Sequence, residues 1–475
     1  MYIFPYILKG GFMDNYMNEE ERFALKKFES MLQSNKVYFF DSEEFEEIIY
    51  HYMDIGKMNL ANKAIDLSLS QHPSSIPLKL IKVELLVFEN KLKPATKLLN
   101  IIESIDPTFD EIYIQRAAIL SKSNNHDGAI IQLYKALELT DDLVDVHALL
   151  GMEYLFTENF SKAIDHFTVC LQIDIEDYAA LYNIIYCYDM LDEHEKAIDF
   201  LNTYIDENPY SEIAWHQLGR QYISQNKFTD AIRAFDYAIL IDELFIGAYL
   251  EKGKALEEEK KYEEAISNYL VTLELDDPTA FTYLQIARCY KNIDNNKLAL
   301  NYYHKAIDED PLLEQAWLAL TDLYLELEDS PKALYYIQKA LEVDADNSDY
   351  LNRFAEINIR LNLYEESALA FKKSIILGDN RLVIYLALAD ILHFIGDFED
   401  VNDVLLDALK LFPKAAEIQY RLAGIYFILR KKKEALFFLE KGFKANISYK
   451  SVAEDIFPEM FLREDVLSLL AKFEL

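Results

Sequence analysis

Apolar residues recur three and four positions apart along most of the chain, and short polar turns separate one apolar run from the next. On an α-helix this spacing places the apolar side chains on one face, so each run predicts an amphipathic helix. The runs come in pairs, and each pair with its turns occupies 34 residues. The pattern therefore predicts a series of helical hairpins with a strict period.

Five prolines keep the same period. The distances between them are 34, 102, 102 and 102 residues, so every gap is 34 or three times 34. They are Pro73, Pro107, Pro209, Pro311 and Pro413. Because a proline cannot continue a helix, each is expected to end the second helix of its hairpin. A 34-residue frame that starts at Ser42 holds twelve units without an insertion and ends at Tyr449.

Small and large residues also alternate in fixed columns of this frame. Ten of the twelve units have alanine in one column, beginning with Ala61, and all twelve have a large apolar residue four positions later. Small side chains let two helices approach closely, and large ones fill the groove of a neighbour. Each hairpin is then expected to bury its faces mainly against adjacent hairpins. The fold class predicted is all-α, an α-solenoid.

The units resemble tetratricopeptide repeats, whose pattern is W-x₂-L-G-x₂-Y followed by A-x₃-F. The best match is Trp215, Leu218, Gly219, Tyr222, Ala231, Phe235 and Ala238. The resemblance covers residues 42–449 and implies a right-handed superhelix of antiparallel helix pairs, with the first helix of each pair lining a concave groove. The unit Ser348–Arg381 departs most from the pattern, because Asn358 and Ser367 occupy key columns.

The segments outside the frame are expected to cover the ends of the array. Residues 1–41 are predicted to hold a capping helix at 14–34, and residues 450–475 to form two short closing helices around Pro458. The apolar residues expected to face the array are Phe23, Leu25, Phe28, Met31, Leu32, Val452, Ile456, Phe461, Val466, Leu467, Leu470 and Phe473. The sequence leaves open whether Met1 or Met13 is the true start.

The charge of the chain restricts its partners. The chain has 47 basic and 82 acidic residues, a net charge of −35. Such a chain repels polyanions, so nucleic acid is not expected as a partner. No apolar run approaches the length of a membrane span, and three scattered cysteines suggest a reducing compartment. A cytoplasmic protein with a protein or peptide partner is predicted.

Motifs for catalysis or for cofactor binding are incomplete. The stretch from Gly247 to Ala255 resembles a phosphate-binding loop, but it lacks the required spacing and the hydroxyl that binds Mg²⁺. His194 and Glu195 begin a zinc motif in which Ile198 replaces the second histidine. No cofactor, no metal and no enzymatic activity are therefore expected.

Two columns of the first helices carry the candidate peptide-binding residues, and they lie one helical turn apart. The earlier column is mostly apolar and includes Tyr182, His216, Leu250, Leu284 and Leu318. The later column includes Tyr186, then three cations and three anions in consecutive units: Arg220, Lys254, Arg288, Asp322, Glu356 and Asp390. The three cations, here called the cationic ladder, are predicted to bind an acidic peptide segment with Lys291 nearby.

Alternatives to this interpretation stay open. The ladder cations are equally able to pair with acids of the chain itself, such as Glu251 and Glu257, and neighbouring units are able to shield the apolar column.

The basic run from Arg430 to Lys433 is interpreted as a solvated loop or as a docking site for an acidic partner. The function predicted is a non-enzymatic interaction scaffold whose concave groove binds an extended peptide or a partner helix. The alternative is a regulator whose superhelix changes pitch when a peptide binds.

Overall fold

The computed structural model describes residues 19–34, 37–276 and 279–473. Over these ranges the regular structure is entirely helical, and no strand is present. The predicted all-α solenoid is thereby confirmed. Residues 14–18 of the predicted capping helix, together with Met1 and Met13, lie outside the described residues.

The chain divides into two compact units, Met1–Glu243 and Leu244–Leu475, and the boundary falls between two hairpins. The helices described in the first unit are α1 (Glu19–Gln33), α2 (Ser42–Asp54), α3 (Met58–Gln71), α4 (Ile76–Phe88), α5 (Leu92–Ile105), α6 (Asp110–Lys122), α7 (His126–Leu137), α8 (Leu143–Phe156), α9 (Phe160–Ile173), α10 (Tyr178–Met190), α11 (His194–Glu207), α12 (Glu212–Ser224) and α13 (Phe228–Ile241). The predicted segment bounds 1–41, 42–449 and 450–475, and the right-handed superhelix, stay predictions.

The second unit continues the alternation of helices and adds short helices at its end. Its described helices are α14 (Ile246–Glu258), α15 (Tyr262–Leu275), α16 (Ala280–Asn292), α17 (Asn296–Glu309), α18 (Glu314–Glu326), α19 (Ser330–Val343), α20 (Ser348–Arg360), α21 (Tyr364–Ile376), α22 (Leu382–Ile395), α23 (Phe398–Leu411), α24 (Ala416–Ile428), α25 (Lys432–Ala445), α26 (Lys450–Ile456), α27 (Pro458–Phe461) and α28 (Glu464–Leu470). A single 3₁₀ turn, Ile447–Tyr449, precedes α26.

The core of each unit is a string of apolar clusters that neighbouring hairpins share. One such cluster runs from Ala117 on α6 to Ala234 on α13 and contains the fully buried Leu150, Ile184 and Leu201. Within each unit a helix packs on its partner in the hairpin and on the first helix of the next hairpin. Burial therefore depends on stacking, as the periodic sequence predicts.

The turn inside each hairpin uses one left-handed residue, and these residues repeat every 34 positions. They are Gly56, Asn90, Asn124, Glu158, Asp192, Asn226, Lys260, Asp294, Glu328, Asn362, Gly396 and Arg430. In the first turn, the Gly56 amide donates to the Met53 carbonyl at 3.1 Å and the Lys57 amide to the Tyr52 carbonyl at 2.8 Å. This is the Schellman arrangement, which satisfies the last carbonyls of the first helix.

The prolines tie each hairpin to the next one. The Trp215 indole donates to the Pro209 carbonyl at 3.0 Å, and the Trp317 indole donates to the Pro311 carbonyl at 2.9 Å. Each tryptophan lies six residues after its proline, in the first turn of the following helix. At these two positions the hydrogen bond joins the end of one hairpin to the first helix of the next.

Three glycines in the first helices accommodate an aromatic ring from the second helix of their own hairpin. Gly151, Gly219 and Gly253 face the rings of Phe167, Phe235 and Tyr269 across their own hairpins. A Cβ atom on Gly253 would lie 2.5 Å from the Tyr269 ring, and one on Gly151 would lie 2.6 Å from the Phe167 ring. These glycines are required by close helix contact, and Gly253 therefore belongs to the helix packing and not to a phosphate-binding loop.

The most divergent hairpin, α20 and α21, buries several polar side chains beside its apolar core. Asn358 is buried and donates to the Phe354 carbonyl at 3.0 Å, and Ser367 is also fully buried. Asn352 donates to the buried Asp379 carboxylate at 2.7 Å. The adjacent Arg381 guanidinium holds the pKa of Asp379 well below its usual range.

The covers of the array differ from the prediction in detail. In α1, Phe28 and Met31 are buried as expected, but Phe23 is 67% exposed and Leu32 is 42% exposed, because Ala24 takes the face that packs on α2. The C-terminal cover has three short helices and not the two expected, since Pro458 starts a separate helix, α27. Val452 and Leu467, which were expected to face the array, are exposed.

Candidate functional site

The α10 stripe, defined as Tyr182, Tyr186 and Met190, is an exposed apolar surface in the first unit. Its members are spaced by four residues and are 43%, 49% and 52% exposed. Residues with this spacing lie on one face of a helix. The ring of Phe160, from the start of α9, contacts Tyr186 edge-on with a centroid distance of 6.5 Å. The stripe therefore offers a continuous aromatic and thioether surface to a partner.

Arg220 of the cationic ladder lies on α12, in the same column as Tyr186 and one hairpin later. Its guanidinium is exposed and donates to the Gln217 side chain at 3.4 Å. Among the described residues, no carboxylate lies within ion-pair distance of it. His216, which precedes this column by one turn, packs its ring on Phe235 at a centroid distance of 5.7 Å. Helices α10 and α12 are in contact. The uncompensated cation Arg220 therefore lies on a helix that packs against the helix of the α10 stripe.

The other two ladder cations lie in the second unit, and their environments differ. Lys254 donates to Glu251 at 2.8 Å, and its ammonium is 5.6 Å from the centre of the Phe281 ring. Arg288 donates to Gln285 at 3.1 Å and to Gln315 at 3.4 Å, without a carboxylate partner in the described part of the chain. The alternative of internal pairing therefore holds for Lys254. Arg288 makes no ion pair in the described residues, but its charge acts on Glu257 and opposes the rise that burial causes in the pKa of that carboxyl group.

Lys291 is also committed to an internal contact. Its ammonium donates to Glu326 of the next first helix at 2.7 Å. This ion pair connects α16 with α18. Lys291 is therefore a structural contact between hairpins in this conformation, and it would have to leave Glu326 before it could contact a ligand.

Of the three anions that follow the cationic ladder in the same column, two are paired with arginines. Asp390 accepts two hydrogen bonds of 2.7 Å from Arg421, whose side chain is 8% exposed. Asp322 pairs with Arg353, while burial raises the pKa of its carboxyl group. In both pairs the arginine lies 31 residues after the aspartate. The same contact between neighbouring hairpins therefore occurs twice. Glu356 is exposed, and no ion pair involves it in the described residues.

The apolar column is interrupted by core positions. Leu284 is fully buried, so it is a core residue and not part of an exposed stripe, because neighbouring helices cover it. Leu250 and Leu318 are half-buried. The suggestion that neighbouring units shield the column therefore applies fully to Leu284 and partly to the other two. In this column only Tyr182, of the candidate residues, is strongly exposed.

Sequence reasoning missed Met190 and Phe160, although both were accessible from the pattern. Met190 follows Tyr186 by four residues, so the same spacing that selected Tyr182 and Tyr186 would have selected it. It named Glu251 as a possible partner of the ladder, but it missed that the position three residues before each ladder cation holds an acceptor: Gln217, Glu251 or Gln285. A comparison of these two columns would have shown that Lys254 alone has an acidic neighbour at that spacing.

A pair of histidines, the half-buried His147 and the buried His166, lies in the fourth hairpin. His147 on α8 and His166 on α9 share a hydrogen bond of 2.9 Å between their Nδ1 atoms, and the Tyr134 hydroxyl bonds Nε2 of His166 at 3.1 Å. Burial, with the neighbouring His147, lowers the pKa of His166 to about 4. Asp165 opposes this shift and Lys162 adds to it. The folded chain therefore keeps His166 neutral at pH values at which the unfolded chain protonates it.

We expect acid to weaken this hairpin through His166. Its folded pKa of about 4 lies below the ordinary histidine value of 6.5, so the unfolded state binds more protons, and stability is lost as the pH falls from 6.5 toward 4. Between pH 7.5 and pH 5, the free energy of opening should fall by about 2 kcal/mol more than in His166→Phe. The chain has phenylalanine in this column at Phe200 and Phe438, which makes the variant a native-like control. Hydrogen exchange of α8 and α9 amides at the two pH values measures the difference, and equal pH dependence in both proteins would contradict it.

No described helix is long and apolar enough to cross a membrane. In the part of the chain that the structure describes, no three or more histidine, cysteine, aspartate or glutamate side chains are grouped so that they could hold a metal ion.

Comparison with known proteins gives three matches to tetratricopeptide repeat families. The matched residues are 179–211, 216–278 and 282–311. No curated protein matches the chain. These matches cover hairpins that lie on both sides of the boundary between the two units.

Solved structures of similar fold include other repeat proteins. YrrB, described as a TPR protein with an unusual peptide-binding site, is 17% identical, with 39% of this chain and 95% of that chain covered and a TM-score of 0.33. A tetratricopeptide repeat protein from Parabacteroides merdae is 19% identical, with 53% and 98% covered and a TM-score of 0.37. The Cut9–Hcn1 hetero-tetramer of APC/C gives 16% identity, with 85% and 93% covered and a TM-score of 0.35.

The family matches and the uninterrupted 34-residue period both identify the repeats. The matched repeats support a role as a protein–protein interaction scaffold. The chain contains tetratricopeptide repeats, matched at residues 179–211, 216–278 and 282–311.

Proposed function

We propose that this protein is a non-enzymatic interaction scaffold that binds an extended peptide or a helix of a protein partner on its first helices. The observation that carries the proposal is the α10 stripe, where three large apolar side chains on one helix face are 43–52% exposed. Exposed apolar patches on a folded surface mark interaction sites. Aromatic residues and methionine are also enriched at protein interfaces.

Arg220 supplies the polar part of the proposed site. Its guanidinium has only the Gln217 amide oxygen as a partner among the described residues, so binding a carboxylate there would not require an internal ion pair to break. Arginine binds carboxylates in a planar, bidentate geometry. The partner segment is therefore proposed to place an apolar side chain on the stripe and a carboxylate near Arg220. Because stacked hairpins hold these groups in place, little conformational entropy is lost on the scaffold side.

The remaining candidate residues are proposed as weaker contributors. Arg288 makes no ion pair in the described part of the second unit, although Glu257 feels its charge, whereas Lys254 and Lys291 are committed to Glu251 and Glu326. Asp322 and Asp390 are committed to arginines, and Glu356 is exposed. A basic partner segment along the anions would therefore compete with internal ion pairs, and we give the stripe and Arg220 the larger role.

We expect that changing the stripe removes the partner. Affinity capture from a native lysate would compare the wild type with Tyr182→Ser, Tyr186→Ser and Met190→Ser combined, and recovery of the bound protein should fall at least tenfold. A second variant, Arg220→Glu with Arg288→Glu, should weaken binding if the partner segment is acidic. Quantitative mass spectrometry of the captured proteins gives the ratios.

The matched control removes exposed apolar residues elsewhere in the first unit. Tyr210 and Leu240 are 81% and 79% exposed and lie outside the first helices. The control variant Tyr210→Ser with Leu240→Ser should capture the same protein as the wild type. Circular dichroism should show equal helix content in all variants. If the stripe variant and the control variant retain the partner equally, the proposal is wrong.

A further inference from the structure

A pocket lies between the last hairpin and the closing helices of the second unit. It has a volume of about 190 Å³ and is formed by α24, α25, α27 and α28. We call it the end pocket. Its apolar floor includes Phe427, Leu436 and Met460, and its rim includes Arg430, Lys432 and Arg463. None of these residues contributes to the first-helix site proposed above, so the end pocket is a separate feature of the molecule.

Two rim cations converge on one carboxylate. Lys432 donates to Asp465 at 2.8 Å, and Arg463 approaches the same carboxylate with its Nε at 3.1 Å and Nη2 at 3.2 Å. Arg463 and Lys432 hold the pKa of Asp465 far below its usual range, so it stays ionised. One negative charge thus faces two positive charges, and the local balance is positive even before Arg430 is counted.

Arg430 is the third rim cation, and the backbone of the turn places it there. It is the left-handed residue of the last hairpin turn, with φ of 59°. Its side chain is exposed, and no carboxylate pairs with it in the described residues. The run Arg430–Lys433, which the sequence suggested to be either a solvated loop or a docking site, therefore has two of its members, Arg430 and Lys432, on the rim of a pocket.

The floor restricts what the pocket can hold. The guanidinium of Arg463 lies over the Phe427 ring with its carbon 4.9 Å from the ring centre, so cation and apolar surface meet at one edge. A volume of about 190 Å³ is below the roughly 300 Å³ of the smallest common small-molecule pockets. The space therefore suits one large apolar side chain with a negative group beside it, and not an extended acyl chain.

We propose that the end pocket binds an acidic peptide segment of a protein partner, with one large apolar side chain on the floor and flanking carboxylates on Arg430 and Arg463. Charge complementarity identifies the partner, because residues 416–475 have 10 basic and 9 acidic residues in a chain of net charge −35. The net charge of the chain repels acidic segments and anionic membranes, so the cations of the rim give an acidic segment a local attraction. Arginine is suited to this role because it binds carboxylates in a bidentate geometry.

The test measures binding of a rhodamine-labelled peptide, acetyl-Glu-Asp-Phe-Asp-Glu-amide, to the full chain by fluorescence anisotropy. Saturable binding that weakens as salt rises is expected. Arg430→Glu should weaken it at least tenfold, while Arg430→Lys should keep most of the affinity. Because Arg430 makes no ion pair in the described residues, these variants leave the contacts of Asp465 intact and are expected to fold.

Controls separate the pocket from general charge attraction. Lys441→Glu removes a surface cation of α25 outside the pocket and should leave the affinity unchanged. A peptide with alanine in place of phenylalanine should bind at least tenfold more weakly. The proposal is overturned by any of three results: no saturable binding, equal loss in Arg430→Glu and Lys441→Glu, or equal affinity for the phenylalanine and alanine peptides.

Discussion

The variant Gly219→Val is expected to destabilise the sixth hairpin by about 3 kcal/mol, because overpacking a tight helix contact forces the backbones apart. Gly219 lies against the fully buried ring of Phe235, and a Cβ atom built on Gly219 would overlap that ring. Valine adds a branched side chain where no space exists for one carbon. Urea unfolding followed by circular dichroism, together with hydrogen exchange of α12 and α13, measures the loss.

The chain itself supplies the matched rescue for this variant. In the second hairpin the same two columns contain Val83 and Leu99, and both are fully buried. The double variant Gly219→Val with Phe235→Leu reproduces that pair. It should recover most of the stability lost in Gly219→Val, giving a coupling energy well above zero in a double-mutant cycle. If the two changes in stability are additive, the side-chain size in one column does not depend on the side-chain size in the other.

Removal of the Asp390 carboxylate should cost about 2 kcal/mol in the second unit. Loss of one partner leaves the Arg421 guanidinium, whose side chain is 8% exposed, without its anion, which typically costs about 3–5 kcal/mol for a fully buried pair. We expect less than that here because the Asp390 side chain is 45% exposed and the Tyr449 hydroxyl still contacts the guanidinium at 2.7 Å. The variant is Asp390→Ala, and urea unfolding gives its stability.

Two controls show whether burial of the arginine is the cause. In the pair of Asp322 with Arg353 the side chains are 36% and 41% exposed, so Asp322→Ala should cost less than about 1 kcal/mol. The double variant Asp390→Ala with Arg421→Leu reproduces Ala118 and Leu149, which occupy the same two columns in the third and fourth hairpins. That double variant should be at least as stable as Asp390→Ala alone. Equal losses for Asp390→Ala and Asp322→Ala would exclude burial of Arg421 as the reason.

The fold was predictable from the sequence because each structural requirement recurs at the same position of every 34-residue unit. The prolines, the small column that begins at Ala61 and the apolar stripes each reflect a contact that twelve hairpins repeat. The turn residues illustrate the strength of the period. Gly56 and Gly396 predict a left-handed backbone by their residue type, whereas Glu158 and Lys260 adopt the same conformation although their residue type does not predict it. Their position followed only from the period.

The candidate site was less predictable, because its chemistry depends on which side chains meet between hairpins. Arg220 and Lys254 occupy equivalent positions, but only Lys254 is paired with an acid, Glu251. The burial of Leu284 and the exposure of Tyr182 also distinguish residues of one column. These differences arise from neighbours 3, 27 or 31 positions away, which a single column does not show. The end pocket was not predictable, since α27 and α28 lie outside the repeat.

The central claim is that the first helices bind the partner, and site-specific photo-crosslinking tests it most directly. A benzoylphenylalanine placed at position 186 lies in the α10 stripe, and one placed at position 240 lies on the exposed face of α13. We predict that the captured partner crosslinks from position 186 and not from position 240. Crosslinking from position 240 alone, or from both positions with equal yield, would contradict the account.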